Sequence, residues 1–342
     1  MLVNWLKQNR FTVNVTAIAL AIASVGLSMS VVQSQSPSTI KIDGSSTVYP
    51  ITEAVAEEFQ KAQKGAVRVT VGISGTGGGF KKFCRGETDI SDASRPILAK
   101  EMQACKSAGI QYIELPVAYD ALTVVVNRQN TWANSMTVAE LKKMWEPGAQ
   151  GKVTKWSQVR SGWPNTAFKL FGPGADSGTF DYFTEAIVGK AKASRTDYTA
   201  SEDDNVLVQG ISRDKNALGY FGLAYYEANK NRLKAVAIES GSGAVMPSAR
   251  NVENGSYQPL SRPIFIYVNA KSATRNDVKS FVEFYLSNAP KLVREVRYVP
   301  LPAQAYTTAR QHFRNRRLGT VFGGQEAVGL RIEELMRREA RQ

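Results

Sequence analysis

The sequence predicts an α/β fold organised in two lobes. Three observations lead there: strands alternate with helices, Ser/Thr- and Gly-rich loops sit at the strand-to-helix turns, and two β-branched runs far apart in the chain end alike. The first unit is Ile40-Lys-Ile-Asp43, the turn Gly44-Ser-Ser-Thr47 and an amphipathic stretch with Ile51, Val55, Ala56 and Phe59 on one helical face. The second is Val67-Arg-Val-Thr-Val71, which runs into Gly72-Ile-Ser-Gly-Thr-Gly-Gly-Gly79 and a helical Phe80-Lys-Lys-Phe83. The third joins Phe168-Lys-Leu-Phe171 through Gly172-Pro-Gly-Ala-Asp-Ser-Gly-Thr179 to a helical segment at 180–188. The similar runs are Asp120-Ala-Leu-Thr-Val-Val-Val-Asn127 and Pro263-Ile-Phe-Ile-Tyr-Val-Asn269. The chain between them has the size of a domain. This predicts an inserted lobe II at 122–265 and a discontinuous lobe I at 38–121 plus 266–342. Two crossings at a hinge leave a cleft, and clefts between lobes are common ligand sites.

Composition narrows the chemistry. At 342 residues with 43% hydrophobic and 21% charged side chains, the chain is globular. A single histidine, His312, and two cysteines, Cys84 and Cys105, are too few for a zinc or iron site built from His and Cys. A Ser-His-Asp enzyme would have to use His312, which lies in an arginine-rich stretch. Lys and Arg number 43 against 30 Asp and Glu, and the formal charge of +13 suggests an anionic partner.

The N-terminus reads as a targeting segment. Lys7 and Arg10 precede an uncharged run that lasts until Lys41, with an apolar centre at 13–32 and small residues Ser28, Ser30 and Ser34 at its exit. That pattern predicts a secretory signal peptide over 1–34; the alternative is an uncleaved anchor helix. No cysteine sits at the exit, so a bacterial lipoprotein attachment signal is missing. Export places the chain in an oxidising compartment, where Cys84 and Cys105 are expected to form a disulfide. Closing that loop contributes about 3 kcal/mol in the chain-entropy model.

The three loops carry the functional argument. The first turn of a helix presents unpaired N–H groups, glycine lets the backbone approach a ligand, and Ser or Thr hydroxyls add donors. One such loop alone reads as an N-cap. Three of them converging on a cleft would surround a small tetrahedral oxyanion. None matches a nucleotide motif: Gly77 is followed by Gly78 where a Walker A loop needs Gly-Lys-Ser/Thr, and Phe80 and Ser177 stand where the dinucleotide fingerprint needs a third glycine. A fourth element, Asp89-Ile-Ser-Asp-Ala-Ser-Arg-Pro96, offers Arg95 as a bidentate donor to an oxyanion and Asp92 as acceptor of its proton. A surface salt bridge is the competing reading of Arg95.

Taken together, Gly44-Ser-Ser-Thr-Val-Tyr-Pro50, Ser74-Gly-Thr-Gly-Gly-Gly79, the segment 89–96 and Asp176-Ser-Gly-Thr179 stand in the order seen in periplasmic phosphate-binding proteins of the Pst-type ABC transporter. Ala217-Leu-Gly-Tyr-Phe-Gly222 resembles a later strand-turn segment of the same family, and the resemblance covers about 38 to 325. It implies the two-lobed periplasmic-binding-protein fold of type II, with two mixed sheets flanked by helices and joined by two crossing strands. It also implies reversible binding of inorganic phosphate without chemical turnover, delivery to the membrane subunits of an ABC permease, a periplasmic location, a monomeric state and no cofactor, metal or nucleic acid.

Carried over residue by residue, the ligand groups are Ser46 and Thr47, Thr76, Ser94 and Arg95, and Ser177, Gly178 and Thr179. The chain departs from the pattern twice. Ser94 stands where many members have the aspartate that accepts the phosphate proton, and Pro173 stands where many have an arginine before Ser-Gly-Thr. Arg95 is then expected to replace that arginine, and Asp92 or Asp176 to take the acceptor role. Binding of sulfate or molybdate is the nearest alternative function, and a secreted phosphatase a more distant one, short of a base. Trp132, Trp145, Trp156 and Trp163 read as core, Ser201-Glu-Asp-Asp-Asn205 as a helix cap, and the basic surplus at 291–342 as a solvated helix face.

Overall fold

In the computed structural model, residues 37–241 and 243–341 are described; the expected signal peptide or anchor lies outside them. The strand β1 (Ser38–Gly44) buries Ile40 and Ile42. It leads into α1 (Tyr49–Ala62), whose Ile51, Val55, Ala56 and Phe59 form the buried stripe expected from their spacing. After β2 (Val67–Ile73) comes α2 (Gly75–Cys84), which starts at Gly75 and not at Phe80. A Gly-Thr-Gly-Gly-Gly start has poor intrinsic helicity, at about 1 kcal/mol per glycine. Tertiary closeness explains it: a Cβ on Gly79 would lie 2.6 Å from the Gly44 Cα, so only glycine lets this helix rest on β1.

Next come β3 (Ile90–Ala93), α3 (Ala99–Ser107) and the long β4 (Tyr112–Asn127), buried over its whole length. The middle of the chain supplies β5 (Ser135–Thr137), α4 (Val138–Trp145), α5 (Trp156–Val159), β6 (Lys169–Gly172) and α6 (Gly178–Phe183). It continues through β7 (Thr199–Ala200), α7 (Asp204–Arg213), β8 (Ala217–Gly222), α8 (Leu223–Asn229) and β9 (Leu233–Ala235). The short β10 (Ala237–Glu239), β11 (Ala244–Val245) and α9 (Ala249–Glu253) follow. The chain then returns with β12 (Ser261–Asn269), α10 (Asn276–Glu295), α11 (Ala303–Arg314) and α12 (Ile332–Glu339).

The main sheet runs β2-β1-β3-β12-β4-β8-β6-β7, with β9 also on β4, and a small sheet runs β11-β10-β5. It is mixed: β1 pairs in parallel with β2 and β3, and β6 with β7 and β8, whereas β12 and β4 run antiparallel to their neighbours. Continuity through the middle comes from β4. Its first part, Tyr112 to Ala121, pairs with β12, and its second part pairs with β8 and β9. With both edges of that second part occupied, β12 has no place there. It begins at Ser261, opposite Ala121, just after the Leu122 amide donates to the Leu260 carbonyl. β4 is therefore continuous through 121/122, and its neighbour on that edge changes where β12 begins at 260/261.

Cys84, at the end of α2, is disulfide-bonded to Cys105 of α3. Trp145 and Trp156 are fully buried in edge-on aromatic contacts, and Asp203 caps α7 by accepting from the Asn205 amide at 2.9 Å. Among the described residues, no helix is long and apolar enough to cross a membrane.

Candidate functional site

The strand-to-helix turns converge where the sheet passes from its first half to its second. Thr47 stands in the turn between β1 and α1, Thr76 in the first turn of α2, and Ser94 just past β3. Ser177 caps α6 by accepting from the Thr179 amide. The Thr47 and Thr179 Oγ1 atoms lie 3.0 Å apart, and the Thr76 Oγ1 and Ser94 Oγ lie 3.1 Å apart. Gly178 joins the two pairs. A Cβ there would come within 2.5 Å of the Thr76 hydroxyl and 2.6 Å of the Ser94 hydroxyl, a closeness only glycine permits. Thr47, Thr76, Ser94 and Thr179 are each at most 1% exposed. Ser46 is buried beside them, and its carbonyl accepts from the Tyr225 hydroxyl at 3.2 Å.

The cation at this meeting point is Arg262, the second residue of β12. Its Nη1 donates to the Gly178 carbonyl at 2.8 Å, and its Nη2 donates to the Thr179 Oγ1 at 2.7 Å and more weakly to the Thr47 Oγ1 at 3.4 Å. Asp120 lies directly opposite on β4, with its Oδ2 3.2 Å from the Arg262 Nη2. Burial pushes the Asp120 carboxyl up to about 6, against the pull of Arg262. Neither residue was anticipated from sequence. The available signal was a repeat: Ser-Arg-Pro-Ile occurs at 94–97 and again at 261–264.

Arg95 points elsewhere. Its two Nη groups grip the Glu101 carboxylate at 2.8 and 2.7 Å, its Nη1 also donates to the Pro96 carbonyl, and its Nε donates to Asp181 at 2.8 Å. Four of the five N–H groups of a guanidinium are thereby engaged. The Glu326 carboxylate approaches its Nε at 3.6 Å. The bidentate geometry expected of Arg95 is present, directed at a carboxylate of its own chain.

The two acceptor candidates also lie apart from the hydroxyl cluster. Along β3, Ser91 approaches α2 at Gly79, so Asp92 points to the opposite face. There its Oδ1 accepts from the Thr52 hydroxyl of α1 at 3.0 Å, and burial pushes its carboxyl up to about 8. Asp176 stays at the rim, its side chain 43% exposed, and takes the Lys81 ammonium of α2 at 2.8 Å. Its backbone does approach the cluster: the Asp176 carbonyl accepts from the Gly77 amide at 2.8 Å.

Chemically, this is a buried set of neutral hydroxyls around one guanidinium. His312 is buried on α11 with its Nδ1 3.2 Å from Glu339 of α12, and both cysteines are in the disulfide. Among the described residues, no group of three His, Cys, Asp or Glu side chains could hold a metal ion.

Comparison with known proteins gives these features a lineage. Residues 31–289 match the family model of a PBP superfamily domain. The chain is 57% identical over 326 residues to Protein SphX of Synechococcus elongatus, covering 94% of this chain and 96% of that one. It is 39% identical over 272 residues to the phosphate-binding protein PstS of Staphylococcus saprophyticus, covering 78% and 82%. Among solved structures, a candidate phosphate-binding protein from Planctomyces limnophilus superposes with a TM-score of 0.61 at 51% identity, covering 82% of this chain and 99% of that one. A candidate phosphate ABC transporter substrate-binding protein from Clostridium perfringens, with bound phosphate, gives a TM-score of 0.66 at 25% identity, covering 77% and 100%. The periplasmic-binding fold expected from the loop motifs is the fold observed, and the chain belongs to the PBP superfamily, in the family of SphX and PstS.

Proposed function

We propose that the protein is an extracytoplasmic solute-binding protein that captures inorganic phosphate and hands it to an ABC permease, without turning it over. The observation that carries this reading is the buried meeting of Thr47, Thr76, Ser94 and Thr179 around Arg262. Hydroxyls both donate and accept, so the same groups that bond one another can turn toward the oxygens of a tetrahedral anion. One guanidinium supplies charge-assisted hydrogen bonds. Gly178 and the α2 loop add main-chain donors, and Ser177 and Ser46 complete the wall.

A phosphatase needs a nucleophile with a base beside it. The chain's one histidine is packed against Glu339, away from every loop. Because the cluster is buried, an anion enters only when the two halves part and Thr47 leaves Thr179. Opening also breaks the Lys81–Asp176 pair and the Gly77–Asp176 bond at the rim. Capture is then a shift of population toward the closed form, driven by contacts available only there. In this reading residues 1–34 direct export to the periplasm, and the mature chain works as a monomer presented to the permease.

Isothermal titration with phosphate, repeated with excess sulfate present, tests the assignment. One phosphate should bind per chain, with sulfate failing to displace it. Absence of heat with phosphate rejects the reading. Equal competition by sulfate replaces it with a general tetrahedral-oxyanion binder.

A further inference from the structure

Behind Arg262 lies a second group of buried polar atoms that the anion reading leaves unused. A methyl-sized position beside Gly222, at the end of β8, is flanked by the Asp120 Oδ1 at 3.5 Å, the Tyr298 hydroxyl at 3.6 Å and the Thr47 Cγ2 at 3.7 Å. Asp120 Oδ1 and the Tyr298 hydroxyl are both buried without a hydrogen-bond partner, and so is Oδ2 of the nearby Asp204, the first residue of α7. Asp120 and Asp204 are each 1% exposed, and Tyr298 is 4% exposed. Thr47 belongs to the hydroxyl cluster, so this group abuts it directly.

We propose that Asp120 and Asp204, beside the Tyr298 hydroxyl, form a proton-holding pair behind the anion site, and that capture of phosphate is coupled to uptake of one proton from solvent onto this pair. The inference rests on the phosphate reading above. Charge is the reason. Two ionised carboxylates and a bound anion would face Arg262 alone in a volume closed to water, and an unpaired buried charge is among the most costly features a protein can hold. Protonating one carboxyl relieves it. Asp204 is the natural holder, because it makes no ion pair among the described residues, whereas Asp120 is paired with Arg262. The groups facing Asp204 are Asp120 on β4, Arg262 on β12, its neighbour Asp203, Tyr225 on α8, and Tyr298. Facing Asp120 are Arg262, Tyr182, Tyr257, Tyr298 and Asp204.

Burial, reinforced by the charge of Asp120, pushes the Asp204 carboxyl up to about 8. An anion arriving beside it raises that value further. Around and above pH 8 the free protein therefore holds fewer protons than the complex, and affinity falls as pH rises, by up to about tenfold per pH unit for one proton.

The test is titration of the full mature chain with inorganic phosphate between pH 7.5 and 9.5, in buffers of contrasting ionisation enthalpy. The wild type should show proton uptake with an affinity that declines toward high pH. Asp204→Asn should lose both the uptake and the decline. Tyr298→Phe, which removes a donor that can stabilise the ionised carboxylate, should move the uptake to higher pH. Uptake that persists unchanged in Asp204→Asn shows that Asp204 does not hold the proton and overturns the proposal, as does phosphate binding with no uptake at all. A wild type that ignores phosphate at every pH overturns the phosphate reading and this inference together.

Discussion

Ser-Arg-Pro-Ile occurs twice in this chain, and its two arginines end in opposite surroundings. Arg95 meets the carboxylates of Glu101, Asp181 and Glu326, with Lys192 on the far side of Asp181 at 3.1 Å. Arg262 meets one carboxylate, two hydroxyls and a carbonyl. The first is over-supplied with negative charge and ties β3, α3, α6 and the C-terminal segment together. The second is under-supplied and stands among groups that can turn to a ligand. An identical tetrapeptide thus makes a structural clamp in one place and a candidate anion receptor in the other, and the difference is what the fold sets opposite each guanidinium.

The sharpest way to break this comparison is to make the same substitution at both arginines. Arg262→Met should lower phosphate affinity by at least about 3 kcal/mol, on the order of a hundredfold, as the loss of a buried charged partner does. Arg95→Met should leave affinity within about tenfold but destabilise the fold by about 3–5 kcal/mol, because Glu101 stays buried without its cation and Asp181 keeps only Lys192. Calorimetric affinities and denaturant midpoints of the two variants check both statements. If Arg95→Met abolishes binding at unchanged stability while Arg262→Met still binds, the roles are reversed and the expectation drawn from the first tetrapeptide stands.

Why one arginine was legible and the other was not follows from range. The loops with Thr47, Thr76, Ser94 and Ser177-Gly-Thr179 are local patterns, a strand followed by small polar residues and a helix, and short-range chemistry fixes their form. Arg262 acquires its role from the register of β12 on β4, which pairs it with a residue 142 positions away. No local signal carries that register. Arg95 presents the opposite case: the carboxylate it grips is only six residues along the chain. Glu101 folds back at the start of α3, where it also accepts from the Leu98 amide at 2.9 Å. Proximity in sequence sets Asp92 beside Ser94, whereas strand alternation sends its side chain to the α1 face. The two Val-Asn runs look alike in sequence, but β4 continues past Ala121 to pair with β8 and β9 whereas β12 begins only at Ser261, a difference set by strands that are short in sequence.

A smaller effect sharpens the comparison by touching both settings at once. The disulfide joins the last residue of α2, the helix that brings Thr76 to the hydroxyl cluster, to α3, the helix whose Glu101 holds Arg95. Replacing Cys84 and Cys105 together by Ser should cost about 3 kcal/mol through the freed loop. Phosphate affinity should change little, since Gly44 and Asp176 already seat α2 through close backbone contacts. Thermal unfolding with and without reductant, alongside a phosphate titration, separates the two quantities. A large loss of affinity at modest loss of stability would mean that the disulfide positions Thr76 directly.

A last effect concerns the charge count around Arg95. Burial pushes the Glu326 carboxyl up to about 8, opposed by Arg95. With Glu326 protonated, Arg95 and Lys192 balance Glu101 and Asp181. A carboxyl whose folded value lies above its unfolded value of about 4.3 keeps its proton in the folded state over a range where the unfolded chain has released it. Its contribution to stability is therefore full below about pH 4 and is lost as pH rises toward 8. Asp92, Glu114 and Asp204, each pushed up to about 8 by burial, act in the same direction. The wild type should thus lose stability between pH 5 and pH 8. Glu326→Gln keeps the neutral form at every pH, so its advantage over the wild type should grow by about 1 kcal/mol for each pH unit between 5 and 8. Denaturant midpoints of the two proteins at both pH values measure this. An equal or larger pH loss in Glu326→Gln would mean that Glu326 is ionised beside Arg95, so that the clamp is a triad of charges and not a balanced pair of pairs.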